Sequence, residues 1–171
     1  MSQSLALADH PVPSLLVPLG APHEAARALI DLPAIVDGTI VPIATTADIF
    51  TAREEGRVLA ARLGFSAWDQ TIIAGAISEL ARNILEFATG GRISLTPETS
   101  STRVGLVIEA KDHGPGIADP AGAVAGVSSS RGPGFGLPGV HRLMDEFDIT
   151  SELGKGTTVT ARKWRRGGTS S

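Results

Sequence analysis

The amino-acid sequence predicts a two-layer α/β sandwich, with helices on one face of a mostly antiparallel, mixed sheet. Two observations carry this expectation. Segments of strand and helix character follow one another in the order β-α-α-β-β-α-β-β, which leaves the helices to cover a single sheet face. The 171 residues, 42% hydrophobic and 19% charged, suit one folded domain with a real core and are too few for two full enzyme domains.

The first strand is read at Thr39–Ile43, where β-branched residues alternate with others. Thr45 or Thr46 then offers a side-chain oxygen to cap a helix running to Leu63, and Gly64 is its stop. Ser66 with Asp69 forms a capping pair for a second helix, along which Trp68, Ile72, Ile73, Ile77, Leu80, Ile84 and Phe87 recur at helical spacing. Thr89-Gly90-Gly91 ends it. Arg92–Leu95 and Arg103–Ala110 read as strands, the second apolar enough to be buried on both faces. The run from Asp112 to Arg131, rich in Gly, Pro, Ala and Ser, reads as loop. A third helix is expected from about Gly136 to about Phe147, with Val140, Leu143, Met144 and Phe147 on one face. Strands Asp148–Glu152 and Thr157–Lys163 close the domain around a Gly154-Lys155-Gly156 turn.

The flanks differ in character. Residues 1–37 hold Pro11, Pro13, Pro18, Pro22 and Pro33 and read as an irregular extension, whose apolar patches Leu15–Leu19 and Leu29–Val36 suit docking and disorder equally. Residues 38–164 form the expected domain and 165–171 a tail. The basic end Arg162-Lys163-Trp164-Arg165-Arg166 reads as a solvated tail rather than a nucleic-acid patch, and Trp68 and Trp164 as packing residues. A net charge of −3 gives no basic excess for nucleic acid or an acidic membrane. The absence of cysteine excludes disulfides, thiolate metal sites and cysteine nucleophiles. No apolar run approaches the ~20 residues of a membrane helix. The proline-broken start is wrong for a secretory signal, so the expected location is cytoplasmic.

Three motifs carry chemistry. Glu79 and Asn83 stand four apart on the second helix, with Arg82 beside them, so a carboxylate and a carboxamide share one face. One Asn oxygen plus a nucleotide can hold magnesium, an oxygen-seeking ion, and leave the carboxylate free as a base; a solvated polar face would use the same letters. Asp112-His113-Gly114-Pro115-Gly116 follows a buried strand. Its carboxylate can accept a hydrogen bond from an exocyclic amine while Gly114 and Gly116 let a flat base sit close, although a plain turn has the same composition. The cluster Gly132-Pro133-Gly134-Phe135-Gly136 leads into a helix, where bare amides suit phosphate. A dinucleotide fingerprint at Gly134, Gly136 and Gly139, with Glu152 as its ribose acid, fails because Ser128-Ser129-Ser130-Arg131 is no strand and too little chain follows. No Gly-Lys-Ser/Thr follows either, which excludes a Walker loop.

In this order, with Gly-x-Gly-Thr in the last hairpin, the motifs resemble the ATP-binding domain of histidine kinases, Hsp90-type ATPases and anti-sigma-factor kinases, the Bergerat or GHKL fold. The resemblance covers about residues 38–164. SELARN, DHGPGI, FGLPGVHRLMDEF and GKGTTV look most like the RsbT-like serine/threonine kinases of bacterial partner-switching modules. It implies ATP and Mg2+ as cofactors, with Asn83 on the metal, Glu79 polarising the attacking hydroxyl or water, Asp112 recognising adenine and Gly116 opening the base pocket. Gly132, Gly134 and Gly136 would wrap the phosphates and Thr157 touch the base edge. Arg82 and Arg131 can reach the phosphates in such a site, although each is better suited to a surface ion pair. The chain departs from that family in its N-terminal extension and in the stiffer, bulkier lid that Pro133 and Phe135 give it. His10, His23, His113 and His141 lack metal-ligand spacing and read as surface or cap residues.

The function so implied is phosphorylation of a STAS-domain anti-sigma-factor antagonist, with a sigma factor or a PP2C-type phosphatase as further partners. A nucleotide-dependent binding module with little transferase activity is the alternative. The catalytic half of a histidine kinase is disfavoured, because no histidine lies in a helix suited to accept phosphate.

Overall fold

The computed structural model describes residues 37–100, 102–126 and 136–166. Strand β1 (Thr39–Ile43) leads into helices α1 (Thr46–Arg62) and α2 (Ala67–Phe87). Strands β2 (Gly91–Thr99) and β3 (Val104–Asp112) follow, then helices α3 (Pro120–Ala125) and α4 (Gly136–Leu143), and strands β4 (Glu146–Glu152) and β5 (Gly156–Trp164). The sheet order is β1-β2-β3-β5-β4, and all four pairings are antiparallel. The expected α/β sandwich is therefore present, with no parallel pair in the described sheet.

Period-two alternation sorts each strand. Ile93 and Leu95 of β2, Leu106, Ile108 and Ala110 of β3, and Val159 and Ala161 of β5 are buried on the helix-covered face. Ile73, Ile77, Leu80 and Ile84 of α2 complete this core, and α1 packs along α2. Both helix starts are fixed by their own side chains. Asp48 Oδ2 accepts hydrogen bonds from the amides of Ala44 (3.0 Å) and Thr45 (2.7 Å) and from the Thr45 hydroxyl (2.9 Å). At α2 the Ser66 hydroxyl accepts the Asp69 amide (3.1 Å) and donates to the Asp69 carboxylate (2.8 Å), the expected capping pair.

The structure corrects several sequence expectations. β2 runs on past Leu95 through Pro97 to Thr99; among the described residues β1 pairs only with Gly91–Leu95 and the rest of β2 has no strand partner on that side, where a strand tolerates proline. The expected loop after Asp112 contains helix α3, started by Asp119, whose Oδ1 accepts the Gly122 amide at 2.9 Å, and by Pro120 in the first turn. Helix α4 stops at Leu143 rather than near Phe147. The next residue but one, Asp145, donates its amide to Arg162 O at 2.9 Å, which turns the chain onto the edge of β5 and starts β4 at Glu146. Trp68 is exposed, not packed: it falls outside the buried stripe of α2, which begins with its neighbour Asp69 and runs on through Ile73.

The basic end is not a solvated tail up to Arg165. Arg162 is paired with Glu98 and Glu146, Lys163 is buried, and Trp164 carries the Arg103 guanidinium 4.4 Å above its ring. The Arg165 amide donates to Val104 O at 2.8 Å. The readings made for residues 1–36, and for most of the tail, fall outside the described residues.

Candidate functional site

Glu79 and Asn83 lie one turn apart on α2, beneath the start of α4. Glu79 is buried, and both of its carboxylate oxygens are engaged. Oε1 accepts from Arg82 Nη1 at 2.5 Å, and Oε2 accepts from the Gly136 amide at 3.1 Å. Arg82 is thus in the ion pair expected of it, with half its side chain in solvent. Asn83 is half-buried, and among the described residues its carboxamide has no hydrogen-bond partner. Its oxygen is the kind of hard, neutral donor that a magnesium ion accepts alongside phosphate oxygens, so this residue fits a metal held partly by nucleotide.

The second group is built where β3 ends. Asp112, half-buried, accepts two amides on one oxygen: Gly114 N at 2.7 Å and Thr157 N at 3.3 Å, both to Oδ1. Its other oxygen takes no hydrogen bond among the described residues. A carboxylate pinned through one oxygen leaves the other to accept from a donor such as an exocyclic amine.

Backbone proximity shapes this end. Gly116 has φ +75, and a Cβ there would come within 2.3 Å of Glu152 O in the β4–β5 hairpin. The same segment accepts the Gly154 amide on Pro115 O at 2.9 Å. Gly116 thus lets the loop lie against the hairpin, a constraint from the protein itself and one the sequence did not reveal. Gly156, with φ +104, brings β5 equally close to Asp112, where a Cβ would be 2.2 Å from its carbonyl oxygen.

Sequence reasoning missed Ser151. Its hydroxyl lies 2.9 Å from Thr157 Oγ1, donates to Gly156 O at 3.1 Å and accepts the Ile117 amide at 2.8 Å. One side chain thereby joins β4, β5 and the Asp112 loop. The signal was available once the turn was placed, because a hairpin around Leu153–Lys155 sets Ser151 opposite Thr157.

The structure therefore brings Asp112, Gly114, Gly116 and Thr157 together, and separately Glu79, Asn83 and Gly136. Gly132, Gly134 and Arg131, with Pro133 and Phe135, lie outside the described residues. Two clefts flank the site without containing Glu79 or Asn83. One of about 370 Å³ is lined by Thr89–Arg92, Lys111 and His113, and the other, of about 410 Å³, lies between α3, α4 and β4. His141 packs edge-on against Phe147 at 5.3 Å, which accounts for it as a packing residue. No helix among the described residues is long and apolar enough to cross a membrane.

Comparison with known proteins bears on this arrangement. Residues 43–163 match the family model of the histidine kinase-like ATPase domain. The chain is 48% identical over 131 residues to the serine/threonine-protein kinase RsbT of Bacillus subtilis, covering 76% of this chain and 98% of that one. Among solved structures, the RsbU and RsbW domains of a Mycobacterium tuberculosis protein superpose with a TM-score of 0.54 at 21% identity over 77% of this chain. The chain spans 34% of that structure's length, and the likeness shows the fold.

Proposed function

The chain belongs to the histidine kinase-like ATPase domain family and is a serine/threonine-protein kinase of the partner-switching type, and we propose that it phosphorylates a STAS-domain antagonist protein using Mg-ATP. The observation that carries the site assignment is the Glu79–Gly136 hydrogen bond. It holds a buried carboxylate, a proton acceptor, against the backbone where the glycine-rich cluster of the sequence runs into helix α4.

In this reading residues 38–164 are the kinase domain. Asp112 accepts the adenine amine through its free oxygen, and Thr157, held by Ser151, lies at the base edge. Gly114 and Gly116 shape the loop beneath, the amides of Gly132 and Gly134 take phosphate oxygens, and the Gly136 amide, expected on phosphate, stays on the Glu79 carboxylate. Asn83 is the protein ligand of magnesium, which neutralises phosphate charge when bound. The partner's serine or threonine oxygen attacks the γ-phosphorus and the bond to the β-phosphate oxygen breaks. ADP leaves, and the hydroxyl proton passes to Glu79. The binding-module alternative is not favoured by a relative named as a kinase over nearly its whole length. A sigma factor and a PP2C-type phosphatase are the further partner classes of this reading.

Incubation with radiolabelled ATP and a purified STAS-domain protein is the test. Label on a partner serine or threonine is the expected result. Tight binding of both ATP and partner with no label transferred would return the binding-module reading.

A further inference from the structure

Among the described residues three charged side chains are buried, and Lys163 is the only cation. It occupies the helix-covered face of β5, in the alternation that buries Val159 and Ala161, with 3% of its surface exposed. Its ammonium donates to Leu143 O at 3.0 Å and to Asp145 Oδ1 at 3.0 Å. Leu143 is the last residue of α4. At the other end of this helix, about 12 Å away for eight residues, the Gly136 amide donates to Glu79. A carboxylate thus meets the N-terminus of α4 and an ammonium its C-terminus, the two signs that the helix dipole favours.

Asp145 makes the far anchor rigid. It is joined to β5 by its own amide on Arg162 O, by the Trp164 amide on Oδ2 at 2.7 Å, and by Lys163. The clamp therefore refers the axial position of α4 to the sheet. Bulk alone does not require a cation here, since an apolar side chain of similar length would fill the same space. Buried ion pairs replaced in that way often lose no stability. What an apolar side chain cannot supply is a directed hydrogen bond to Leu143 O.

We propose that Lys163 is a positioning residue for phosphoryl transfer: it holds α4 so that the Gly136 amide and the Glu79 carboxylate stay together. The inference rests on the kinase reading above, but one of its readouts does not.

The test compares full-length wild type with Lys163→Met. Amide exchange at Gly136, followed by NMR without nucleotide, should be slow in the wild type and faster in the variant. Adenosine, which has no phosphate to reach α4, should bind both with affinities within about twofold, the scatter expected of independent sites. ADP should bind the variant about fivefold more weakly, as for a lost helix-terminus contact. Transfer at saturating ATP should fall by about tenfold or more, as for a misplaced catalytic group. Equal losses for adenosine and ADP, or unchanged Gly136 exchange, would overturn the proposal. If Lys163→Met shows no cooperative thermal transition, Asp145→Asn, which removes the anchor's charge while keeping an acceptor for the Trp164 amide, should show the same pattern at smaller size, and the same results would overturn it. Should the wild type transfer no phosphate, the kinase reading fails, and Gly136 exchange alone decides the clamp.

Discussion

The two halves of the candidate site are built by different means. The Asp112 end is made of strand ends and turns whose backbones touch: Gly116 lies against Glu152, Gly156 against Asp112, and Ser151 ties three segments together. The Glu79 end is one helix face whose carboxylate takes the Gly136 amide of α4, a helix packed against α2 and tied to β5 at its far end through Lys163. The first end is determined by backbone fit and the second by side-chain chemistry. A substitution in the first should therefore damage structure and affinity together, and one in the second should change reactivity in a folded protein.

The largest effect is expected at Gly156. Alanine there meets both a positive φ and the Asp112 carbonyl, so Gly156→Ala should cost about 3 kcal/mol of stability, read as a fall in the urea midpoint. Stability close to wild type would break the claim that backbone fit builds this end. Next, Asp112→Ala should weaken ATP by ~1.5–3 kcal/mol, the worth of a hydrogen bond to a charged group, and GTP should already bind the wild type less well. Calorimetry giving equal ATP affinities would remove Asp112 from base recognition.

Smaller still, Asn83→Ala should weaken ATP by about 1 kcal/mol in the presence of Mg2+ and leave adenosine binding alone. A loss that persists without the metal would mean that Asn83 acts on the fold instead. The smallest change sharpens the comparison as a control outside both halves. The amides of Ala44 and Thr45, with the Thr45 hydroxyl, hold the Asp48 carboxyl below its ordinary pKa. Its contribution is present above the unfolded-state pKa and is lost as pH falls through the lowered folded value. Asp48→Ala should lower the melting temperature at neutral pH, by an amount that shrinks on acidification through that range, with ATP affinity unchanged. A melting difference that grows on acidification would contradict this.

How far the sequence was legible follows the same division. Local signals located β1, the Ser66–Asp69 cap and the middle of the buried stripe of α2, whose expected ends Trp68 and Phe87 are exposed, because each is decided within a few residues. The motifs pointed to Glu79, Asn83 and Asp112 because their chemistry is visible in residue type and spacing. The end of α4 was not legible, since Val140, Leu143, Met144 and Phe147 continue a helical period that Asp145 breaks only by pairing with Arg162. Lys163 looked like part of a basic tail because its partners, Leu143 and Asp145, come from another element. The contact between Glu79 and Gly136 joins residues 57 positions apart and has no sequence signature of its own.

The central claim is that one half of the site holds the nucleotide and the other half performs the transfer. The most direct test titrates ATP against radiolabel transfer to a STAS-domain partner for wild type, Asp112→Ala and Glu79→Gln. Transfer by Asp112→Ala should recover when ATP is raised to saturation. Glu79→Gln should bind ATP nearly normally yet transfer ~10²–10⁴-fold more slowly at any concentration, as for a lost general base. Wild-type transfer rates in Glu79→Gln, beside an active wild type, would contradict the account.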